Sequence, residues 1–196
     1  MREAMNLETT KVGDIIPFGA PHWRVLDIQN DKALLLSENV IEERAYNKSF
    51  TGATWETCTL RQYLNEKFYN NFSAEEKTRI AGIRMTKHNN PWFRTRGGNA
   101  TTDKIFLLSL KELIKYFGDS GQLWNRPSNS THIINDRYNS VRIALDSEKT
   151  AARWWLRSPG YYSNLAANVL PDGYVDVSGY YSDYNSGVRP ALWLNL

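Results

Sequence analysis

The sequence is poor in the features that would define a disulfide-bonded or membrane-embedded protein. Its 196 residues include one cysteine, Cys58, so no intramolecular disulfide can form. No apolar run approaches the length of a membrane-spanning helix. Residues 1–6 lack the apolar stretch of a signal peptide. We therefore expect no membrane span and synthesis in the cytoplasm, with assembly into a phage or surface particle left open.

Charge of one sign is also scarce. The formal net charge is +3, and it is spread along the chain without a basic block, so nucleic acid is not an implied partner. The strongest local cluster could be a phosphate-facing patch, but a solvated face is the interpretation we favour. This cluster consists of Arg79, Arg84, Lys87, His88, Arg94 and Arg96.

Residues 158–187 lack Lys, Arg, Glu, Gln, His, Trp and Met altogether. Tyr, Ser, Asn and Asp make up most of this segment, and it holds six of the eleven tyrosines. Two apolar segments, residues 154–157 and 188–194, flank it. Tyr offers rigid amphipathic contact area, while Ser, Asn and Gly adapt their hydrogen bonds. The composition therefore favours a binding surface over a catalytic site.

Local patterns predict an α+β protein. Alternating and continuous apolar runs predict strands over residues 12–19, 23–28, 32–37, 105–108, 154–157, 166–170, 174–177 and 188–194. Helical periodicity and capping signals predict helices over residues 59–68, 73–80, 109–117 and 138–145, with a loop over 87–103. Strands at both ends with helices between them are typical of a single α+β domain, which we expect to span residues 1–196.

Residues 13–64 and 104–196 together resemble a bacterial family, DUF6273, which has no established activity to carry over. The motifs that carry this resemblance are Trp23-Arg24-Val25-Leu26, Trp55-Glu56, Thr59-Leu60-Arg61, Leu64-Asn65, Ile105-Phe106-Leu107-Leu108-Ser109, Trp154-Trp155-Leu156-Arg157-Ser158-Pro159-Gly160, Asp172-Gly173 and Gly187-Val188-Arg189-Pro190-Ala191-Leu192.

A second resemblance is shorter. Residues 156–160 and 187–189, with the polar segment between them, look like the carboxy-terminal end of the C-type lectin fold. The branch they resemble contains the formylglycine-generating enzymes and the variable proteins of diversity-generating retroelements. The resemblance implies a C-type-lectin-like α+β fold with mixed and antiparallel strands. It also implies diversified residues at this end, on a surface between fixed scaffold strands.

The genetic code offers an independent argument for diversification. Retroelements replace adenines, and the Asn codon AAC then yields Tyr, Asp or Ser but never Lys, Glu, Gln, Trp or Met. Turn-rich β segments also favour Asn, Asp, Ser and Gly, with Tyr on strand faces, so both explanations fit the composition. The candidate diversified and ligand-binding positions are Tyr161, Tyr162, Ser163, Asn164, Asn168, Tyr174, Asp176, Ser178, Tyr180, Tyr181, Asp183, Tyr184 and Asn185.

The expected ligand is a protein or a cell-surface target. The tyrosines would supply contact area, and Asn164, Asn168, Asp176, Asp183 and Asn185 would supply polar contacts. Three alternatives remain: a carbohydrate-binding domain whose rings stack on sugars, an uncharacterised enzyme with the fold of the formylglycine-generating enzymes, and a structural module whose tyrosines pack against a neighbour. The oligomeric state is left open.

No residue pattern predicts a cofactor, a metal or a chemical step. The formylglycine-generating relatives bind copper through cysteines, and Cys58 stands alone. For zinc, His22, His88 and His132 lack partners at ligand spacing. Calcium would use Asp172, Asp176 and Asp183, which turn and strand roles explain more simply. We expect Arg157 and Arg189 to be buried and to bind loop carbonyls.

Overall fold

The amino-terminal strands and the last strand of the chain form one antiparallel sheet. The computed structural model describes residues 10–128 and 131–196. In spatial order, the five strands of the first sheet are β1 (Ile15–Pro17), β2 (His22–Gln29), β3 (Lys32–Ser37), β15 (Ala191–Asn195) and β5 (Ile80–Ala81). Because β15 pairs with the whole length of β3, the two halves of the chain are joined in one sheet.

The second sheet carries the tyrosine-rich segment. In spatial order, its six strands are β4 (Glu42–Ala45), β14 (Asn185–Val188), β11 (Trp154–Pro159), β12 (Leu165–Val169), β13 (Val175–Tyr181) and β8 (Ile133–Ile134). The β11–β14 pair is parallel and the other pairs are antiparallel. Two small ribbons pair β6 (Ile83–Met85) with β7 (Thr101–Asp103), and β9 (Ala144–Leu145) with β10 (Ala151–Ala152).

The helices are short and lie between the sheet-forming segments. They are α1 (Thr59–Tyr63), which continues as a π turn (Leu64–Phe68) and a 3-10 turn (Tyr69–Asn71), then α2 (Ala74–Arg79), α3 (Leu110–Phe117) and α4 (Asn139–Arg142). Capping boxes begin α2 at Ser73 and α3 at Ser109, and α3 ends at Gly118 with φ 114°. The α+β class is therefore confirmed, with mostly sheet and few helices.

The first hairpin forms at the predicted turn. Asn30 and Asp31 connect β2 to β3 and both have positive φ, 49° and 57°. A two-residue turn with both central residues in the left-handed region matches the twist of the flanking strands, and Asn and Asp tolerate that region best after glycine. The turn therefore follows directly from the local sequence.

The strand predicted over residues 105–108 is wrong. These residues are buried, but only Phe106 forms a β bridge, to Ala191. The hydrogen bonds of the segment come from mixed partners: Asn65 Oδ1 accepts from Ile105 N at 3.2 Å, Arg157 Nη1 donates to Leu107 O at 2.7 Å, and Arg157 N donates to Leu108 O at 2.9 Å. Burial was thus predicted correctly, whereas the hydrogen-bond pattern depends on distant residues.

Other boundaries also differ from prediction. The strand expected over residues 188–194 is divided, because the chain passes from the second sheet to the first at Arg189-Pro190 and proline has no N–H for a ladder. The helix expected over 138–145 has only the four residues of α4. The loop expected over 87–103 ends in β7.

A continuous hydrophobic core lies between the sheets and the helices. Apolar strands predict that Trp154, Trp155 and Trp193 lie in this core. Trp154 and Trp155 are fully buried, as is Trp23, whereas Trp193 is only partly buried against the core. None of the helices in the described part of the chain is long and apolar enough to cross a membrane. Residues 1–6, on which the expectation of no signal peptide rests, lie outside the described residues.

Candidate ligand-binding surface

Two buried tryptophans fix the strand that precedes the tyrosine-rich segment. Trp154 Nε1 donates to Arg142 O at 3.1 Å, and Trp155 Nε1 donates to Arg44 O at 2.8 Å. Each indole therefore packs in the core and also joins β11 to a separate part of the chain. A strand held in this way can present the following turn with little conformational freedom, which lowers the entropic cost of binding.

A close approach of two glycines shapes the turn after β11. Gly160 N donates to Leu165 O at 2.7 Å, and Tyr161 N donates to Ser178 O at 2.6 Å. A Cβ on Gly160 would lie 2.2 Å from the Ser178 oxygen, so a larger residue cannot fit. Gly179, opposite, has φ 86° and its own Cβ would lie 2.6 Å from Ala166 O. The backbone that displays Tyr161 is thus packed directly onto β13.

Asp176 holds an irregular part of β13 in place. Its Oδ1 accepts from Ser178 Oγ at 2.7 Å and from Gly179 N at 2.9 Å. The β12–β13 register shifts between Ala166 and Asn168, which marks a β-bulge at this point. Since a bulge bends its strand and increases the local twist, it re-aims the side chains that follow. Asp176 therefore has a structural role, and its carboxylate is largely engaged.

Asn168, expected at the surface, is fully buried. The strand β12 lies between β11 and β13, and residues 166–169 are all buried, so both of its faces are covered. The Asn168 amide donates weakly to Ala166 O and to Asp176 Oδ2, each at 3.4 Å. This position is accordingly removed from the expected contact surface.

One exposed aromatic cluster surrounds the turn after β11. Tyr161 and Tyr162 meet edge to face, with ring centroids 4.4 Å apart. Phe93 contacts Tyr161 at 4.6 Å, and the His132 ring stacks on Tyr161 at 6.2 Å with an 8° interplanar angle. Tyr162 nevertheless keeps 62% of its surface exposed and Tyr161 keeps 42%. The rings are thus held by one another while remaining accessible.

A second aromatic cluster lies at the end of β13. Tyr181 and Tyr184 are 47% and 52% exposed, with centroids 5.6 Å apart, and Phe50 lies 5.7 Å from Tyr181. Tyr180 is half-buried between the Trp155 ring at 6.2 Å and the Arg153 guanidinium, 4.0 Å from its centroid. Tyr180 therefore connects the exposed rings to the core.

Residues 163 and 164 join the two clusters into one surface. Ser163 O accepts from Ala53 N at 2.9 Å, and Asn164 O accepts from Ser182 N at 3.0 Å. Leu165 pairs with Tyr181 across the sheet. We call the combined surface the tyrosine face, and it consists of Tyr161, Tyr162, Tyr180, Tyr181 and Tyr184.

The other candidate positions divide by location. Ser163 and Asn185 are exposed beside the tyrosine face, and Asn164, Ser178 and Asp183 are half-buried there. Tyr174 is not brought together with the rest. It follows the turn at Asp172, at the opposite end of the hairpin, about 20 Å from Tyr180 by the usual rise of a strand.

Asn90, which attaches the 87–96 loop to this surface, was not predicted from the sequence. The Asn90 side chain is 1% exposed; its Nδ2 donates to Pro159 O and Val177 O at 2.8 Å each, and its Oδ1 accepts from Trp92 N at 2.9 Å and Phe93 N at 3.2 Å. The adjacent aromatic pair in a polar loop was a usable signal for packing. Nothing local marks Asn90 itself.

The two arginines that flank the tyrosine-rich segment are buried, as expected. Arg157 forms an ion pair with Glu112, and Arg189 Nε donates to Ser37 O at 2.8 Å. Burial lowers the pKa of Arg189 to about 10. Burial would raise the pKa of Glu112, but Arg157 and the hydrogen bonds from Ser109 lower it overall. Both arginines therefore act in the scaffold.

The polar cavity beside Arg157 is small. It is lined by His88, Ser109 and Ser158 among others, and its volume of about 10 Å³ admits about one water molecule.

Burial raises the pKa of Cys58 to about 12, so the thiol stays protonated. Within residues 10–128 and 131–196, no three His, Cys, Asp or Glu side chains converge to hold a metal ion.

Comparison with known proteins identifies the family. No curated protein and no solved structure gives a significant match to the chain. A family model described as a domain of unknown function, DUF6273, matches residues 30–196. That match includes the two flanking apolar segments, residues 154–157 and 188–194, and the whole tyrosine face. The chain therefore belongs to the DUF6273 family.

Proposed function

We propose that this chain is a ligand-recognition module of C-type-lectin-like fold, whose tyrosine face binds a protein or cell-surface target without a chemical step. One observation carries the proposal: Tyr161, Tyr162, Tyr181 and Tyr184 are 42–62% exposed on a backbone held by buried strands. Clustered exposed aromatic rings are unfavourable in water unless a partner covers them.

The energetics of recognition favour this arrangement. Tyr is among the residues that dominate binding energy at protein interfaces, where a central ring commonly contributes about 2 kcal/mol or more. The rings contact one another at 4.4–6.3 Å within each cluster, so little side-chain freedom remains to be lost on binding. The polar residues beside them supply adaptable hydrogen bonds at the rim.

We further propose that a retroelement diversifies the exposed positions. This proposal is supported by the difference between candidate positions that are exposed and candidate positions that have structural roles. Tyr161, Tyr162, Ser163, Tyr181, Tyr184 and Asn185 are exposed, so replacement there would leave the core intact, whereas Asn168 and Asp176 have structural roles. The resemblance to variable proteins implies the same division between a fixed scaffold and a variable surface. A genomic near-copy of codons 158–187, differing at adenines mainly in the exposed set, is the expected observation.

Selection from a phage-displayed random-peptide library tests the binding proposal. The wild-type protein should enrich peptides that fail to bind a variant with Tyr161, Tyr162, Tyr181 and Tyr184 all changed to Ala. Because these are surface changes, each should alter the free energy of unfolding by less than about 1 kcal/mol. Tyr69→Ala removes one partly buried tyrosine ring on the 3-10 turn, outside the tyrosine face, and the folded variant should retain binding.

The same variants separate the proposal from its rivals. Peptides that bind wild type and the four-tyrosine variant equally well would refute the tyrosine face as the binding site. A glycan array in which wild-type protein alone binds neutral sugars would instead favour the carbohydrate-binding alternative. Unfolding of the four-tyrosine variant would mean that the rings serve packing.

A further inference from the structure

A shallow groove is lined in part by the 87–96 loop, which also contacts the tyrosine face. Its volume is about 440 Å³, and its lining includes Lys87, His88, Arg94, Lys111 and Trp124, which we call the basic groove. Trp124 is 54% exposed at the groove, and Lys111 Nζ lies 5.3 Å from its ring centroid. The size is within the range of ligand sites.

The basic side chains of this groove are not paired with carboxylates in the part of the chain that the structure describes. Its lining contains no Asp or Glu. Lys87, Arg94 and Lys111 form no ion pair with any other residue that the structure describes. The nearest carboxylate on α3, that of Glu112, is engaged by Arg157. Burial is the largest cause that lowers the pKa of His88; Lys111 and Arg157 lower it further, and Glu112 partly opposes them.

The groove and the tyrosine face share one wall. Asn90 lines the groove with part of its surface while its side chain donates to Pro159 O and Val177 O. On the same loop, Phe93 packs 4.6 Å from Tyr161, and Thr95 Oγ1 donates to Tyr161 O at 2.7 Å. A ligand that covers Tyr161 would therefore reach the groove by crossing this loop.

We infer that the basic groove binds an acidic segment of a partner polypeptide, and that this same partner covers the tyrosine face. The inference rests on the proposed function. Positive and negative surfaces that face each other steer association and select partners. Exposed Trp, Tyr and Arg are the residue types enriched at protein interfaces. Continuity with the tyrosine face favours a polypeptide over a sulfated glycan, since one partner must present bulky groups to the rings and carboxylates to the lysines.

A matched pair of charge reversals tests the groove. The double variant Lys87→Glu, Lys111→Glu alters the groove, whereas Lys11→Glu, Lys67→Glu makes the same change in net charge elsewhere on the surface. Glu at position 111 lies in the first turn of α3, where a negative charge is favourable, so folding should persist. Thermal unfolding of both variants checks this.

The probes are a fluorescein-labelled oligoglutamate, the matching oligoglutamine, and a heparin oligosaccharide. We expect the groove variant to weaken oligoglutamate binding about tenfold or more and the control pair to weaken it less than about threefold, with oligoglutamine unaffected. Binding should weaken as salt is raised. Peptides selected on the wild-type protein should also be enriched in Asp and Glu compared with the naive library.

Two results would overturn the inference. One is equal weakening by both charge-reversal variants, which would reduce the effect to net charge. The other is groove-dependent binding of heparin without binding of oligoglutamate, which would assign the groove to a glycan. A failure of the proposed function gives a different result. The four-tyrosine variant would then bind the selected peptides as well as the wild-type protein does, and the oligoglutamate result would be unchanged.

Discussion

The side-chain amide of Asn90 donates to the carbonyl oxygen of Val177 at 2.8 Å, across 87 positions of sequence. The same amide donates to Pro159 O, at the end of β11. One buried side chain thus joins the loop that bears Phe93 to both strands that support the tyrosine face. Because Asn90 and its loop also line the basic groove, Asn90 couples the geometry of the two surfaces.

Replacing Asn90 should destabilise the protein. Asn90→Ala would leave two buried carbonyl oxygens and two backbone amides without their partners. Unsatisfied buried groups cost about 1–3 kcal/mol each, and with partial relaxation we expect a total loss of about 2–4 kcal/mol in the free energy of unfolding. Urea denaturation followed by tryptophan fluorescence measures the loss.

The neighbouring residue offers the control. Asn89 is exposed, and its side chain accepts one long hydrogen bond, from Gly97 N at 3.3 Å. Asn89→Ala should therefore cost less than about 1 kcal/mol. Equal effects of the two substitutions would contradict the role assigned to Asn90.

Local sequence was sufficient to predict elements whose hydrogen bonds are local. The Asn30-Asp31 turn and the capping box at Ser73 each depend on residues within a few positions of one another, and each forms as predicted. Trp154 and Trp155 were also predicted to be buried, because they lie in a continuous apolar segment, and both are fully buried. These features account for most of the fold class.

Features that depend on distant partners could not be predicted in this way. Asn168 lies in the polar, tyrosine-rich segment, as a binding residue would, yet it is buried because both faces of β12 are covered. Tyr174 belongs to the same composition, but the hairpin carries it to the opposite end. Composition identifies the segment, and only the sheet order distinguishes which side chains share a surface.

Gly160 should not tolerate a side chain. In Gly160→Ala the new Cβ would lie 2.2 Å from Ser178 O, and a contact this short forces the turn away from β13. Overpacking and the loss of the bond between Tyr161 N and Ser178 O should cost about 1–3 kcal/mol together. Thermal unfolding measures the cost, and peptide binding should fall even under conditions where the variant is folded.

Gly82→Ala is the control for this substitution. A Cβ there meets side-chain atoms no closer than 3.7 Å, and its φ lies outside the left-handed region. Stability should remain within about 1 kcal/mol of wild type or increase slightly. A Gly160→Ala protein as stable as the Gly82→Ala protein would show that the turn is free to move.

Two neighbouring tyrosines should respond differently to truncation. Tyr180 packs between Trp155 and Arg153, so Tyr180→Ala removes buried contacts and should cost about 2–4 kcal/mol. Tyr184 is 52% exposed, so Tyr184→Ala should cost less than about 1 kcal/mol. Urea denaturation distinguishes them, and similar losses for both would place Tyr184 in the core as well.

Stability should fall in alkaline solution because of Cys58. Burial raises the pKa of this thiol from 9.0 to about 12, so the folded state retains a proton that the unfolded state releases. The stabilisation is therefore complete below pH 9 and is lost as pH rises toward 12, at about 1 kcal/mol per pH unit for a single group. Urea denaturation at a series of alkaline pH values measures this slope, and Cys58→Ser isolates the thiol.

Serine can still cap α1, where Cys58 Sγ accepts from Arg61 N at 3.4 Å, but its hydroxyl does not ionise in this range. Burial also raises the pKa of Tyr46, and this effect of burial is common to both proteins, whereas the smaller contribution of Cys58 to the pKa of Tyr46 is lost in Cys58→Ser together with the thiol. The wild-type curve should consequently fall more steeply than that of Cys58→Ser between pH 9 and 12, whereas parallel curves would mean that the thiol is accessible to water.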